Sequence, residues 1–230
     1  MKHRVLVIAA HPDDEVLGCG GTMAWHAAKG DRVCVLILGE GATARHANRR
    51  DDAAQRQVAK LRVAARAASK LLRVSELTVE SFPDNQFDTV PLLELVKVIE
   101  RVKTRCRPDT IYTHHAGDVN VDHRRVHHAV IAACRPQPQE RLRRLYGFEV
   151  LSSTEWAGPE PMNTFRPDTF VSTSKVLPQK IAALKAYRSE LRRFPHPRSV
   201  EGVRLLARYR GMSVGLRDAE AFMTIRHIDR

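Results

Sequence analysis

The chain has 230 residues, 43% of them hydrophobic and 28% charged. That is the balance of a globular domain with length enough for a substantial core, and it excludes a disordered or fibrous segment. The formal net charge is +12, which invites an anionic partner. Much of the excess, however, is arginine spread along helix-like segments, as at Arg56, Arg62, Arg66 and Arg73, without interleaved aromatics. The apolar stretch at residues 5–10 is shorter than a signal-peptide core and far below a membrane span. The expected setting is therefore the cytoplasm, with no stable membrane insertion. Cys19, Cys34, Cys106 and Cys134 form no C-x-x-C pair. Their spacing argues against thiolate zinc ligation and against a disulfide framework, and Cys19 and Cys34 read as buried thiols.

Taken in chain order, the first element is a strand over 4–10, a continuous β-branched apolar run of the kind buried on both faces. Helix patterning follows over 16–29, with Gly30 at the expected C-cap. Then come a strand at 32–38, a helix at 51–72, a strand at 76–82 and a helix at 92–105. A strand at 110–114, a helix at 123–134 and a strand at 145–150 complete the series. This alternation predicts an α/β fold in a single domain, a Rossmann-like doubly wound, mostly parallel sheet with helices on both faces. Beyond 151 the texture changes. Residues 152–161 are turn-rich and read as too polar for a core. A strand at 169–172, a helix at 177–191, a stiff loop at 193–199, a helix at 200–210 and a strand at 221–225 follow. The expectation is one domain over 1–230, with a core of about 1–150 and a C-terminal cap region of about 151–230. Gly18-Cys19-Gly20-Gly21 fails the dinucleotide pattern G-x-G-x-x-G and reads as close packing of a helix on the sheet.

The chemistry-bearing residues sit at two strand ends. Ala10-His11-Pro12-Asp13-Asp14-Glu15 follows the first strand directly, where ligands bind in open α/β sheets. The run from His114 to His123 follows the fourth strand and ends in Asn120-Val121-Asp122-His123. If the two ends meet, His11, Asp14 and His123 form a two-histidine, one-carboxylate set with an open position, the usual arrangement for catalytic zinc. Iron or manganese tolerates the same donors. Plainer readings stand beside this one. Asp13, Asp14 and Glu15 also suit the positive end of a helix dipole, and Asp122 suits a helix N-cap. His114 and His115 read as strand-end polar residues, and His127 and His128 as riders on a helix. Phe82-Pro83-Asp84-Asn85-Gln86 is a turn that also follows a strand, so Asp84 and Asn85 are candidate substrate contacts. In Pro195-His196-Pro197-Arg198-Ser199 the prolines stiffen a loop, which either places His196 and Arg198 at a site or joins two helices.

On the first motif, on Asp122-His123 and on the following Arg124-Arg125-Val126-His127, the sequence resembles the LmbE-like, PIG-L-type N-acetylglucosaminyl deacetylases. Weaker agreement extends through 149–156, 195–199 and 219–222. The resemblance implies a zinc-dependent hydrolase that removes an N-acetyl group from a small-molecule amino sugar or sugar conjugate. It implies His11, Asp14 and His123 as metal ligands, Asp13 as the general base that activates water, and Asp122 as a group that orients a neighbour. Many members carry His-Pro-Asp-His in the second motif, and that leading histidine helps stabilise the oxyanion. Here Asn120 stands in its place, so the donor falls to Asn120, to the metal or to His196, with Arg198 as a further substrate contact. The alternative within enzymes is a metal-dependent amidase on a non-sugar amide. From another class, the net charge raises a nucleic-acid-binding module, which no motif supports. The oligomeric state is left open, a homo-oligomer included.

Overall fold

The period-two alternation of the first strand decides where the core sits. In the computed structural model, which describes residues 2–138 and 140–229, β1 (Arg4–Ala9) turns Val5, Val7 and Ala9 to one face and Leu6 and Ile8 to the other. β2 (Arg32–Gly39) divides in the same way, with Val33, Val35 and Ile37 opposite Cys34, Leu36 and Leu38. Each face is covered by helices, so these strands need no polar side and read as unbroken apolar runs. The first face receives α1 (Asp14–Ala28), α2 (Asp52–Leu71), α5 (Leu177–Ala186) and α6 (Val200–Met212). The second receives α3 (Leu92–Cys106) and α4 (Val121–Ala133).

The sheet has the order β3-β2-β1-β4-β5-β7-β6. Its remaining strands are β3 (Glu76–Phe82), β4 (Thr110–His114), β5 (Arg144–Phe148), β6 (Thr169–Ser172) and β7 (Ala219–His227). β1 to β5 are parallel, β7 runs antiparallel to β5, and β6 antiparallel to β7. The chain grows outward from β1 to β3, then returns to add β4 on the other side of β1. That reversal opens a crevice outside the carboxyl ends of β1 and β4, the topological switch point of a doubly wound sheet.

Close approach of α1 to the sheet is built on glycine. A Cβ at Gly18 would stand 2.3 Å from the Phe148 ring on β5, so the tight helix–sheet packing expected of this glycine is present. The C-terminal third holds the two strands expected there, and departs from expectation in two places. β6 and β7 extend the sheet itself, and α5 packs against α1 and α2. α5 ends at Ala186 rather than 191, because Tyr187 turns fully into the core and its hydroxyl donates to Glu15 Oε1 at 2.5 Å. Ser153 and Thr154, assigned to a segment too polar for a core, are 3% and 6% exposed. They are buried because Asp118 accepts both hydroxyls, which removes the cost of an unpaired polar group. Among the described residues no helix is long and apolar enough to cross a membrane.

Candidate metal centre and cleft

The chain leaves β1 into a turn that separates two adjacent acids. Asp13 is the N-cap of α1 with φ at 104°, a left-handed conformation that costs a non-glycine residue energy. Asp14 is the first residue of the helix. The two carboxylates therefore point apart: Asp13 lines a cleft, while Asp14 turns inward to the histidines. At the end of β4, Asn120 caps α4 by accepting the Asp122 N–H at 2.8 Å. This cap places Asp122 and His123 in the first turn of α4, facing β1.

His11, Asp14 and His123 each bring one donor atom within 4.8 Å of the others, and all three side chains are buried. Each imidazole is fixed from behind by a carboxylate. His11 Nε2 lies 2.9 Å from Asp122 Oδ2 and 3.3 Å from Asp84 Oδ1. A carboxylate only accepts, so Nε2 carries a proton toward Asp122, and Nδ1 stands 3.3 Å from Asp14 Oδ2. His123 Nδ1 lies 3.2 Å from Asp118 Oδ1, and its Nε2 faces Asp14 Oδ2 at 3.1 Å. Asp118 is held in turn by Ser153 and Thr154. His114 accepts the Ala10 N–H at Nε2 and stacks on His123 with ring centroids 3.9 Å apart.

The charges sort themselves accordingly. Burial works against the Asp14 charge, but His123 and the hydrogen bond from His11 outweigh it and hold the carboxyl well below its usual range. Burial likewise opposes a charged His123, yet Asp14 and Asp118 push its pKa up to about 9. Burial, reinforced by the neighbouring His123 charge, keeps His114 neutral. Asp13 is different: burial raises it to about 7 although the Arg198 guanidinium, 3.3 Å away, pulls it down. Asp14 Oδ1 and His123 Nε2 are buried without a hydrogen-bond partner. Buried polar atoms are nearly always paired. Two orphaned donors of the right type, aimed into one cluster of excess negative charge, fit a divalent cation.

Beside this cluster lies a cleft of about 240 Å³. Its walls include His11, Asp13, Asp84, Asn85, Asn120 and Arg198. Of the residues singled out from sequence, Asp122 lies behind His11, where it also accepts the Asn85 and Phe87 N–H groups. Asn120 spends one amide hydrogen on Asn85 Oδ1. His196 stands apart: its ring lies edge-on to Trp156 and its Nδ1 accepts the Arg198 backbone N–H. Four residues at the site were not among those singled out for it from sequence. Asp118 and Ser153 stand behind His123, while Arg45 and Glu190 line the cleft as a pair, Nη2 to Oε2 2.5 Å. Single polar residues at turns are too common for any local signal to have marked them.

Residues 6–134, a little over half of the chain, match the family model described as PIG-L, GlcNAc-PI de-N-acetylase. The uncharacterized deacetylase YaiS of Escherichia coli is 28% identical over 193 residues, covering 80% of this chain and 90% of that protein. The 1D-myo-inositol 2-acetamido-2-deoxy-alpha-D-glucopyranoside deacetylase 1 of Saccharopolyspora erythraea is 29% identical over 237 residues, covering 82% of this chain and 78% of that one. Among solved structures, the conserved protein TT1542 of Thermus thermophilus superposes with a TM-score of 0.75 at 26% identity, over 99% of this chain and 97% of the other. The matched span runs from β1 to the end of α4 and so contains both strand ends that build the cluster, and on it the chain belongs to the PIG-L family of GlcNAc-PI de-N-acetylases.

Proposed function

We propose that this protein is a zinc-dependent hydrolase that removes the N-acetyl group from a small-molecule amino sugar or sugar conjugate. The observation that carries the reading is the pair of orphaned buried donors, Asp14 Oδ1 and His123 Nε2, beside a buried Asp13 on a polar cleft. The deacetylases among the relatives support the reaction class. His11, Asp14 and His123 would hold the ion, with Asp122 and Asp118 fixing the two rings. A divalent cation bound there would polarise the amide carbonyl and acidify water.

The chain's own residues supply the proton traffic. Asp13, raised to about 7 by burial against the pull of Arg198, is matched to accept a proton from water near neutral pH and return it to the leaving amine. Arg198 holds the Asp13 carboxylate toward the cleft. Asn85, Asn120, Arg45 and Glu190 offer the donors and acceptors that a sugar's hydroxyl groups need. The test is acetate release from a panel of N-acetylated hexosamines, their glycosides and non-sugar acetamides, with elemental analysis of the same preparation. Turnover confined to the sugars, with about one zinc per chain lost on His123→Ala, is expected. Release from non-sugar acetamides alone would replace the substrate assignment, and unchanged metal in His123→Ala would sink the ligand set.

A further inference from the structure

A second group of metal-type donors lies at the far end of the sheet. Cys34 on β2 pairs in register with Glu76 on β3, and Cys106 ends α3 against them. One donor atom from each of Cys34, Glu76 and Cys106 lies within 4.8 Å of the others. The cysteines are 2% and 1% exposed, whereas the Glu76 side chain keeps 24% of its surface, so the group is closed on the thiol side and open on the carboxylate side. Cys34 stands near the amino end of β2 and Gly39 at its carboxyl end, two residues before the cleft-lining Gly41, about 17 Å apart at the usual strand rise.

We propose that Cys34, Cys106 and Glu76 form a binding site for a soft divalent cation of the zinc class, separate from the catalytic cluster. Two sulfur donors select soft ions over magnesium or calcium, and three protein donors leave one position for water on the open side. Binding releases two thiol protons to solvent and leaves two thiolates, one carboxylate and a dication, a net charge of −1. The surroundings are built for that charge. Arg32 Nη2 binds Glu76 Oε2 at 3.0 Å, and Arg105 Nε binds Oε1 while its Nη2 reaches Thr78 Oγ1 at 2.7 Å. These guanidiniums orient the carboxylate as partners behind a ligand usually do. An ion here would brace β2, β3 and α3 at the base of the sheet.

The experiment titrates reduced, chelator-treated full-length protein with Co²⁺ and Cd²⁺ and follows thiolate-to-metal charge-transfer absorption. The histidine–carboxylate cluster has no sulfur donor and is silent in this readout. The expected result is a band that saturates within two ions per chain in the parent and at one in His123→Ala, where the histidine–carboxylate cluster no longer takes up an ion. It should vanish in Cys34→Ser and in Cys106→Ser, and persist in His123→Ala, Cys19→Ser and Cys134→Ser. Glu76→Gln, which keeps both thiols, should retain the band and weaken Cd²⁺ binding about tenfold or more, a loss that even outer partners of a metal site commonly cause. The proposal is overturned by absence of a band while every thiol titrates as free, or by a band that survives both cysteine variants. Recovery of a Cys34–Cys106 disulfide as the form that resists reduction would overturn it equally.

Discussion

Two adjacent aspartates show how one turn creates two chemistries. Asp14 is held ionised by His123 and His11, whereas Asp13 is raised to about 7 by burial. Asp13→Asn should keep zinc and lower kcat by ~10²–10⁴, the worth of a positioned acid–base group, while Asp14→Ala should lose zinc first; metal analysis beside steady-state kinetics separates the two. Arg198 lowers the Asp13 pKa, and a base must be ionised to act. Arg198→Gln should therefore move the acid limb of kcat/KM to higher pH, and Arg198→Lys should restore most of it. A pH profile unmoved by Arg198→Gln would remove Asp13 as the titrating base. His196 touches this system through the backbone of Arg198. Its expected role as an oxyanion donor thus becomes a proposal about positioning, in which His196→Ala shifts the profile in the same direction. The Asn120 side chain is engaged in capping α4, so Asn120→Ala should cost about 1 kcal/mol of stability in denaturant unfolding, as lost N-caps do.

At the scale of elements, α1 is the part that carries the site, and its seat on the sheet is tightly specified. A methyl group at Gly18 would meet the Phe148 ring, so Gly18→Ala should destabilise by ~1–3 kcal/mol through overpacking. Phe148→Leu in the same chain should relieve part of that loss, with urea midpoints as the measure. On its other flank, α1 is tied to β7 and α5 by buried charges. Glu220 accepts the Gly21 and Thr22 N–H groups at 2.8 and 2.6 Å and pairs with Lys180 at 2.6 Å. Lys180 also donates to Leu17 O at 2.7 Å. Lys180→Met leaves a buried carboxylate without its cation and should cost ~3–5 kcal/mol. The double variant with Glu220→Gln should be more stable than Lys180→Met alone, since the uncompensated charge is then gone. These helix-to-strand ties join the C-terminal third to the sheet.

For the whole molecule, pH dependence follows from the direction of the buried shifts. Asp14 and Asp118 lie below their usual range in the folded chain, so the stability they supply is present above about pH 4 and lost on acidification. His123 is raised from 6.5 to about 9 and Glu15 from 4.5 to about 8. Raised groups stabilise at low pH and cease to do so as pH climbs through the folded value. Chelator-treated protein should thus be most stable in weakly acidic solution and lose stability toward pH 9. Thermal unfolding across that range checks this, and a flat profile from pH 5 to 9 would contradict it. The net charge of +12, with Arg45 and Arg198 at the cleft, makes a further prediction. KM for a phosphate-bearing sugar conjugate should rise with ionic strength through screening, and KM for a neutral one should not.

The sequence by itself determined the layered α/β architecture and the strand ends that carry the chemistry. Long apolar runs bounded by turn residues are local signals, which is why β3 and β4 begin and end where their patterns do. His11, Asp14 and His123 were legible because each lies in a polar cluster set against a strand end, where a helix cap alone would not need imidazole. Tertiary structure decided the rest, because the deciding contacts join residues far apart in the chain. α5 stops where Tyr187 finds Glu15, 172 positions away. Ser153 and Thr154 become core residues only once Asp118 is there to accept their hydroxyls. The cysteine spacing that argued against a thiolate site held no information on strand register, and it is the parallel pairing of β2 with β3 that sets Cys34 beside Glu76 and beneath Cys106.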